Sequence, residues 1–221
     1  MVDKDICYIC CKPGSDGKDH VIPYSFFKKP RPSNLLTFSA HHRCHSEMDE
    51  EYFRVIAAGQ GLEESKAAND LWKGKISRSV RRNVPLRELI RSAISDNVPL
   101  LSKGGIYIGS TPAIELDRNR TDPIIKKIVR GLYLNENRDF LCSDTEFTWQ
   151  VVNEEPTGLM REVFEGSKIG LCYPDVFECS FAIVEEAGLE ITVWWLLFYK
   201  GLLIVCLTKR QKKSSLHINA V

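Results

Sequence analysis

The residues of this chain best suited to chemistry are crowded between Cys7 and His45. That stretch holds four of the eight cysteines (Cys7, Cys10, Cys11, Cys44) and four of the five histidines (His20, His41, His42, His45). Cys7-Tyr8-Ile9-Cys10 is a C-x-x-C pair, and His41-His42-Arg43-Cys44 offers an H-x-x-C pair about thirty residues later. Two such pairs supply the four ligands that a structural zinc ion takes in a tetrahedron, each pair gripping the metal from a tight turn. Lys12-Pro13-Gly14 suits the turn behind the first pair. Spacing alone selects Cys10 over Cys11 and His41 over His42, and it leaves Cys11 as a spare thiol. Buried free thiols or a redox pair are the competing readings, and the polar neighbours weigh against a packed core. Metal bound here is also folding energy, because so short a segment has little core of its own.

Between the two pairs lie Asp19-His20-Val21-Ile22-Pro23 and Asn34-Leu35-Leu36, and His45 directly follows Cys44. The order C-x-x-C, D-H-x-x-P, N-L, C-H resembles the HNH endonuclease family in its zinc-stapled form, over residues 5–58. The run DHVIPYSFF is also similar to the catalytic segment of the HNH domain in RNA-guided CRISPR nucleases. His41 is a departure, since zinc-stapled relatives usually have cysteine there. The resemblance implies a ββα-metal core, a hairpin followed by a helix with one divalent ion between them. It implies that Asp19 and His45 hold that ion, that His20 is the general base and that Asn34 braces the loop carrying His20. Hydrolysis leaving a 5′-phosphate and a 3′-hydroxyl follows from the same resemblance. A setting in bacterial or phage defence, or in mobile elements, rests on analogy.

The residue types fit those roles on their own chemistry. A phosphodiester is anionic and a poor electrophile, so a metal ion at the reacting phosphate offsets the charge that develops. A carboxylate with an imidazole suits Mg²⁺, Mn²⁺, Zn²⁺ or Ni²⁺. Histidine titrates close to neutrality and serves as a base at working pH. Adjacent strand residues face opposite ways, which would send Asp19 to metal and His20 to water. Each residue alone has a plainer reading: a surface turn for Asp19-His20, a turn or cap for Asn34, a turn carbonyl for His45. Their joint occurrence in one order selects the nuclease reading.

The remaining sequence must position this segment. At 221 residues, with 43% hydrophobic and 27% charged residues, the chain reads as an ordinary globular protein of one or two domains. A formal charge of +1 says little about partners. The start lacks the basic and apolar runs of a signal peptide, so a reducing cytoplasm is expected. Residues 44–58 predict a helix with His45 in its first turn, stopped by Gly59 and Gly61. Residues 62–96 predict two helices around Asn83-Val84-Pro85. Arg78, Arg81, Arg82 and Arg87 there read equally as a phosphate-contacting strip or as a solvated helical face. Strands are expected over 104–117, 146–152, 176–185, 189–199 and 202–208, with helices over 122–133, opened by Thr121-Asp122-Pro123 as cap and first turn, and over 157–165. The apolar run from Ile191 to Leu207 is broken by Lys200-Gly201 and reads as a buried hairpin rather than a membrane span. Cys142, Cys172, Cys179 and Cys206 are expected to be packed thiols.

The fold class expected is α+β: a zinc-bound ββα core over 1–60, a basic helical connector over 61–100, and a mainly antiparallel α+β domain over 101–221. The functional expectation is a metal-dependent endonuclease carrying structural Zn²⁺ and a catalytic Mg²⁺ or other divalent ion, with DNA favoured over RNA. No membrane partner is expected, and a homodimer or a regulatory protein partner fits residues 60–221. The rival reading is an inactive zinc module that binds nucleic acid or protein. The basic tail after Leu207 is expected to be a solvated end.

Overall fold

The computed structural model describes residues 5–102, 104–153 and 156–211. Of the tail expected to be solvated, residues from 212 lie outside them, whereas Lys209–Gln211 are paired in a strand and Arg210 bonds Glu190 and Asp139. The architecture is α+β with three antiparallel sheets. Strands β1 (Gly17–His20) and β2 (Thr37–Ala40) form the first, with Asp19 opposite Phe38 and His20 opposite Thr37. Helix α1 (Glu47–Gln60) follows, capped by the Ser46 hydroxyl on the Asp49 amide and carrying Glu47, Asp49 and Glu50 in its first turn. Those charges suit the positive end of the helix dipole. His45 lies ahead of this helix, in extended conformation (φ −134°, ψ 156°), rather than in its first turn. The serine cap begins the helix one step after it.

Helix α2 (Lys66–Leu71), a π-helical segment (Trp72–Ile76) and α3 (Ser77–Arg82) make one continuous rod. Asn83 ends it and caps α4 (Val84–Ala93), with Pro85 in the first turn where its missing N–H costs nothing. The second helix expected up to residue 96 stops at Ala93, and β3 (Ile94–Leu101) pairs with β4 (Tyr107–Ile114) as a separate hairpin.

Helix α5 (Arg118–Asn137) is the longest, and it starts earlier than its Thr121-Asp122-Pro123 signature suggested because Asp117 caps it. Ile124, Ile125, Ile128, Val129 and Leu132 form its buried face. Gly131 lets it approach the N-terminal segment closely, since a Cβ there would press on both methyl groups of Val21 and reach within 3.1 Å of Tyr8.

The large sheet has the strand order β5-β9-β8-β7-β6, from β5 (Glu146–Val152), β6 (Lys168–Tyr173), β7 (Phe177–Glu186), β8 (Leu189–Phe198) and β9 (Leu202–Gln211). The short α6 (Leu159–Glu165) precedes β6, a strand the sequence reading did not anticipate. The apolar run is indeed the β8–β9 hairpin, turning at Tyr199 and Lys200 with φ of 47° and 58°. Two successive positive φ values define the turn whose twist matches paired strands. No helix among the described residues is long and apolar enough to cross a membrane.

One cluster of buried apolar side chains runs from Cys7 through α1 and α5 to Cys206. Three cysteine assignments need correction. Cys11 and Cys142, expected as a spare and a packed thiol, are joined as a disulfide with Cα atoms 5.6 Å apart. The loop after α5 brings Cys142 to the first knuckle, a proximity that linear spacing cannot reveal. Cys172 is exposed, because it lies in the edge strand β6, whereas Cys179 and Cys206 are buried as expected.

Candidate metal centres and catalytic cleft

Cys7, Cys10, His41 and Cys44 converge, with one donor atom from each lying within 4.8 Å of all the others. The first knuckle is closed by the Cys11 amide on the Cys7 carbonyl (2.8 Å), and the Cys7 amide donates to Lys12 (3.0 Å). The second is the single turn His42–Cys44. His41 Nδ1 faces Cys10 Sγ at 3.3 Å and Cys44 Sγ at 3.7 Å. Its other nitrogen, Nε2, lies 3.2 Å from the Pro13 carbonyl. A carbonyl only accepts, so Nε2 carries the proton and Nδ1 presents its lone pair to the cluster, as metal-bound histidines do. The His41 amide points at Cys7 Sγ at 3.4 Å. Three thiols and one correctly tautomerised imidazole make a site that could hold zinc. His42 is exposed and its amide binds Asp16, so the choice of His41 matches the geometry. Arg130 donates to the Ile9 carbonyl, and its field acts on Cys10, Cys7 and Cys44. A positive guanidinium there offsets the excess anionic charge of three thiolates.

Asp19, His45 and Glu50 form a second group, again with donors within 4.8 Å of one another. Asp19 comes from β1, His45 from the turn before α1, and Glu50 from the first turn of that helix. Asp19 is 8% exposed. Its Oδ2 accepts from Tyr8 Oη (2.7 Å) and pairs with Lys127 Nζ (2.8 Å). Lys127, only 1% exposed, also reaches Glu50 Oε1 at 2.5 Å. Oδ1 of Asp19 and Oε2 of Glu50 take no hydrogen bond from any described residue. His45 Nδ1 is buried and unpartnered. Two spare carboxylate oxygens and an orphaned imidazole nitrogen are a donor set that fits a divalent ion. Burial, and then the negative Asp19, hold the Tyr8 phenol well above its ordinary pKa, so it remains a proton donor to that carboxylate.

Asp19, His45 and Glu50 line a cleft of about 310 Å³ together with His20, Tyr24 and Lys75. His20 ends β1 and shares this cleft with Asp19 despite the alternation of strand side chains. Its imidazole lies 5.3 Å from the Tyr24 ring, which Arg31 covers at 3.5 Å. Burial lowers the His20 pKa, Asp19 opposing and Lys127 adding to that effect. Arg54 forms a fully buried wall, paired with Glu51 at 2.9 Å and donating to the Ser25 carbonyl. Asn34 is exposed, and its backbone carbonyl accepts from Tyr173 Oη. Its side chain makes no hydrogen bond to another described residue.

Of the basic strip, Arg78 and Arg82 line a second cleft with Lys75, which thus belongs to both. Arg78 donates to the Gly74 carbonyl rather than to a carboxylate. Arg81 is turned to the Ser77 carbonyl, and Arg87 to the Arg81 carbonyl and Glu88. Glu50, Tyr8 and Lys127 escaped the sequence reading. Glu50 had a signal, an acidic first turn just after His45; Lys127 had none, being some eighty positions downstream. Compared with known protein families, curated proteins and solved structures, the chain has no match.

Proposed function

We propose that the protein is a metal-dependent endonuclease of the HNH type, hydrolysing phosphodiester bonds of nucleic acid, with DNA the substrate. The observation that carries this reading is the shared cleft of His20 with the Asp19–His45–Glu50 donor set. A divalent ion held by those three residues would supply Lewis-acid stabilisation of the scissile phosphate and leaving oxygen. His20, kept neutral by its burial, takes the proton of the attacking water. Tyr8 and Lys127 fix one oxygen of each carboxylate, so that Asp19 and Glu50 keep their aim. The Cys₃His site staples the segment carrying these groups. Lys75, Arg78 and Arg82 continue from the cleft rim across the helical rod and supply positive charge along a phosphate backbone.

A zinc module that binds without cutting is favoured by one observation: Lys127 already pairs with both carboxylates and offsets part of their charge. Plasmid cleavage with Mg²⁺, Mn²⁺ or Ni²⁺, comparing wild type with His20→Ala, separates the readings. The nuclease gives metal-dependent nicking that His20→Ala loses while keeping its zinc. Inactivity of folded, zinc-loaded wild type with all three metals supports the binding module instead.

A further inference from the structure

We infer that Lys127 makes loading of the catalytic metal depend on the nucleic-acid substrate, an inference that rests on the nuclease reading above. The ammonium reaches the site from α5, far outside the segment that carries the donors, and is 1% exposed. It contacts Asp19 Oδ2 and Glu50 Oε1 and leaves the other oxygen of each carboxylate available. With Lys127 in place the donor set carries one net negative charge; without it, two. A divalent ion taking Asp19 Oδ1 and Glu50 Oε2 therefore enters beside a fixed positive charge that cannot withdraw into water. A phosphodiester brings the missing negative charge and a further oxygen ligand, so metal and substrate bind better together than apart. By linkage, each raises the other's affinity by the same factor. Such a site stays largely unloaded until nucleic acid arrives, which restrains hydrolysis away from the substrate.

The test is Mn²⁺ binding to the full zinc-loaded chain, followed by calorimetry and by the rise in melting temperature with Mn²⁺. The His20→Ala background keeps a duplex oligonucleotide intact. For the protein with Lys127, the inference expects duplex DNA to tighten Mn²⁺ binding at least about tenfold. Lys127→Met should bind Mn²⁺ at least about tenfold more tightly without DNA and respond little to it; Lys127→Arg should keep the parent's behaviour. Should Lys127→Met fold poorly, Lys127→Met/Glu50→Gln restores the charge balance, and its Mn²⁺ affinity should fall back toward the parent value. Equal Mn²⁺ affinities with and without Lys127, or no tightening by DNA, would overturn the inference. A protein that cuts DNA yet shows equal affinities refutes this inference alone. One with the expected affinities that cuts nothing refutes the nuclease reading instead.

Discussion

Gly131→Ala is the substitution that most directly probes how α5 holds the segment that carries Asp19 and His20. In an exposed helix this change stabilises by about 1 kcal/mol, because alanine loses less backbone freedom. Here the added Cβ would meet both methyl groups of Val21, 2.7 Å from Cγ1, and Tyr8 Cε2 at 3.1 Å. Val21 is fully buried, and every χ1 rotamer leaves at least one of its methyls facing the added Cβ. Relief requires α5 or the Val21 backbone to move, and forced overpacking costs about 1–3 kcal/mol. The net expectation is a loss of up to about 2 kcal/mol. For a protein of this size that lowers the melting temperature by up to about 8 °C. Urea denaturation of the zinc-loaded protein measures it. Val21→Ala removes the obstructing methyls, so the double variant should lose at least about 1 kcal/mol less than the two single losses combined. The strain also falls next to His20 and on Tyr8, the donor to Asp19, so cleavage should weaken with stability. A Gly131→Ala protein about 1 kcal/mol more stable than wild type would show that α5 does not pack as described.

Two further outcomes follow from the site and the cysteines. Because burial lowers the His20 pKa from its ordinary 6.5, the neutral base should persist into mildly acid solution. Plasmid cleavage should therefore rise with pH to a plateau, with its acid-side midpoint below 6.5; a midpoint above that value contradicts the assignment. In thiol titration of the zinc-loaded, oxidised protein, only exposed Cys172 should react readily, since burial pushes Cys179 and Cys206 up to about 12. Chelation should release Cys7, Cys10 and Cys44 as well, and Cys11 and Cys142 should appear only after reduction. Reaction of Cys11 without reductant would break the disulfide assignment.

Local signals served the sequence reading well wherever a residue's role depends on near neighbours. The four residues that could hold a zinc ion are brought together by two turns, and the spacing that pointed to Cys10 and His41 is a local one. The β8–β9 hairpin was legible because its apolar strands flank a turn that a membrane helix could not contain. Helix starts were less legible: Asp117 outcompeted the Thr121-Asp122-Pro123 signature, and Ser46 left His45 outside α1. Strand β6 pairs through the bulged register between Ile169 and Cys172, which blurs its alternation. What the sequence could not disclose is long-range. Lys127 on Asp19, Arg130 beside the thiols and Cys142 on Cys11 all depend on α5 and its following loop returning to the first forty residues. Asn34 is the motif position with least support from the geometry, since its side chain makes no hydrogen bond to another described residue.

The dependence on α5 limits how far the segment from Cys7 to Gln60 can be treated as a portable cassette. A graft of residues 5–60 onto another scaffold would carry Asp19 and Glu50 without the ammonium that pairs with both. It would also leave the Ile9 carbonyl without Arg130 and uncover the apolar surface that Gly131 meets. Two adjacent carboxylates stripped of their cation repel each other, so such a graft should be less stable even with its Cys₃His cluster intact. A graft that keeps these contacts must therefore carry α5 together with the knuckles, and the structural unit extends to residue 142, where the Cys11–Cys142 link closes.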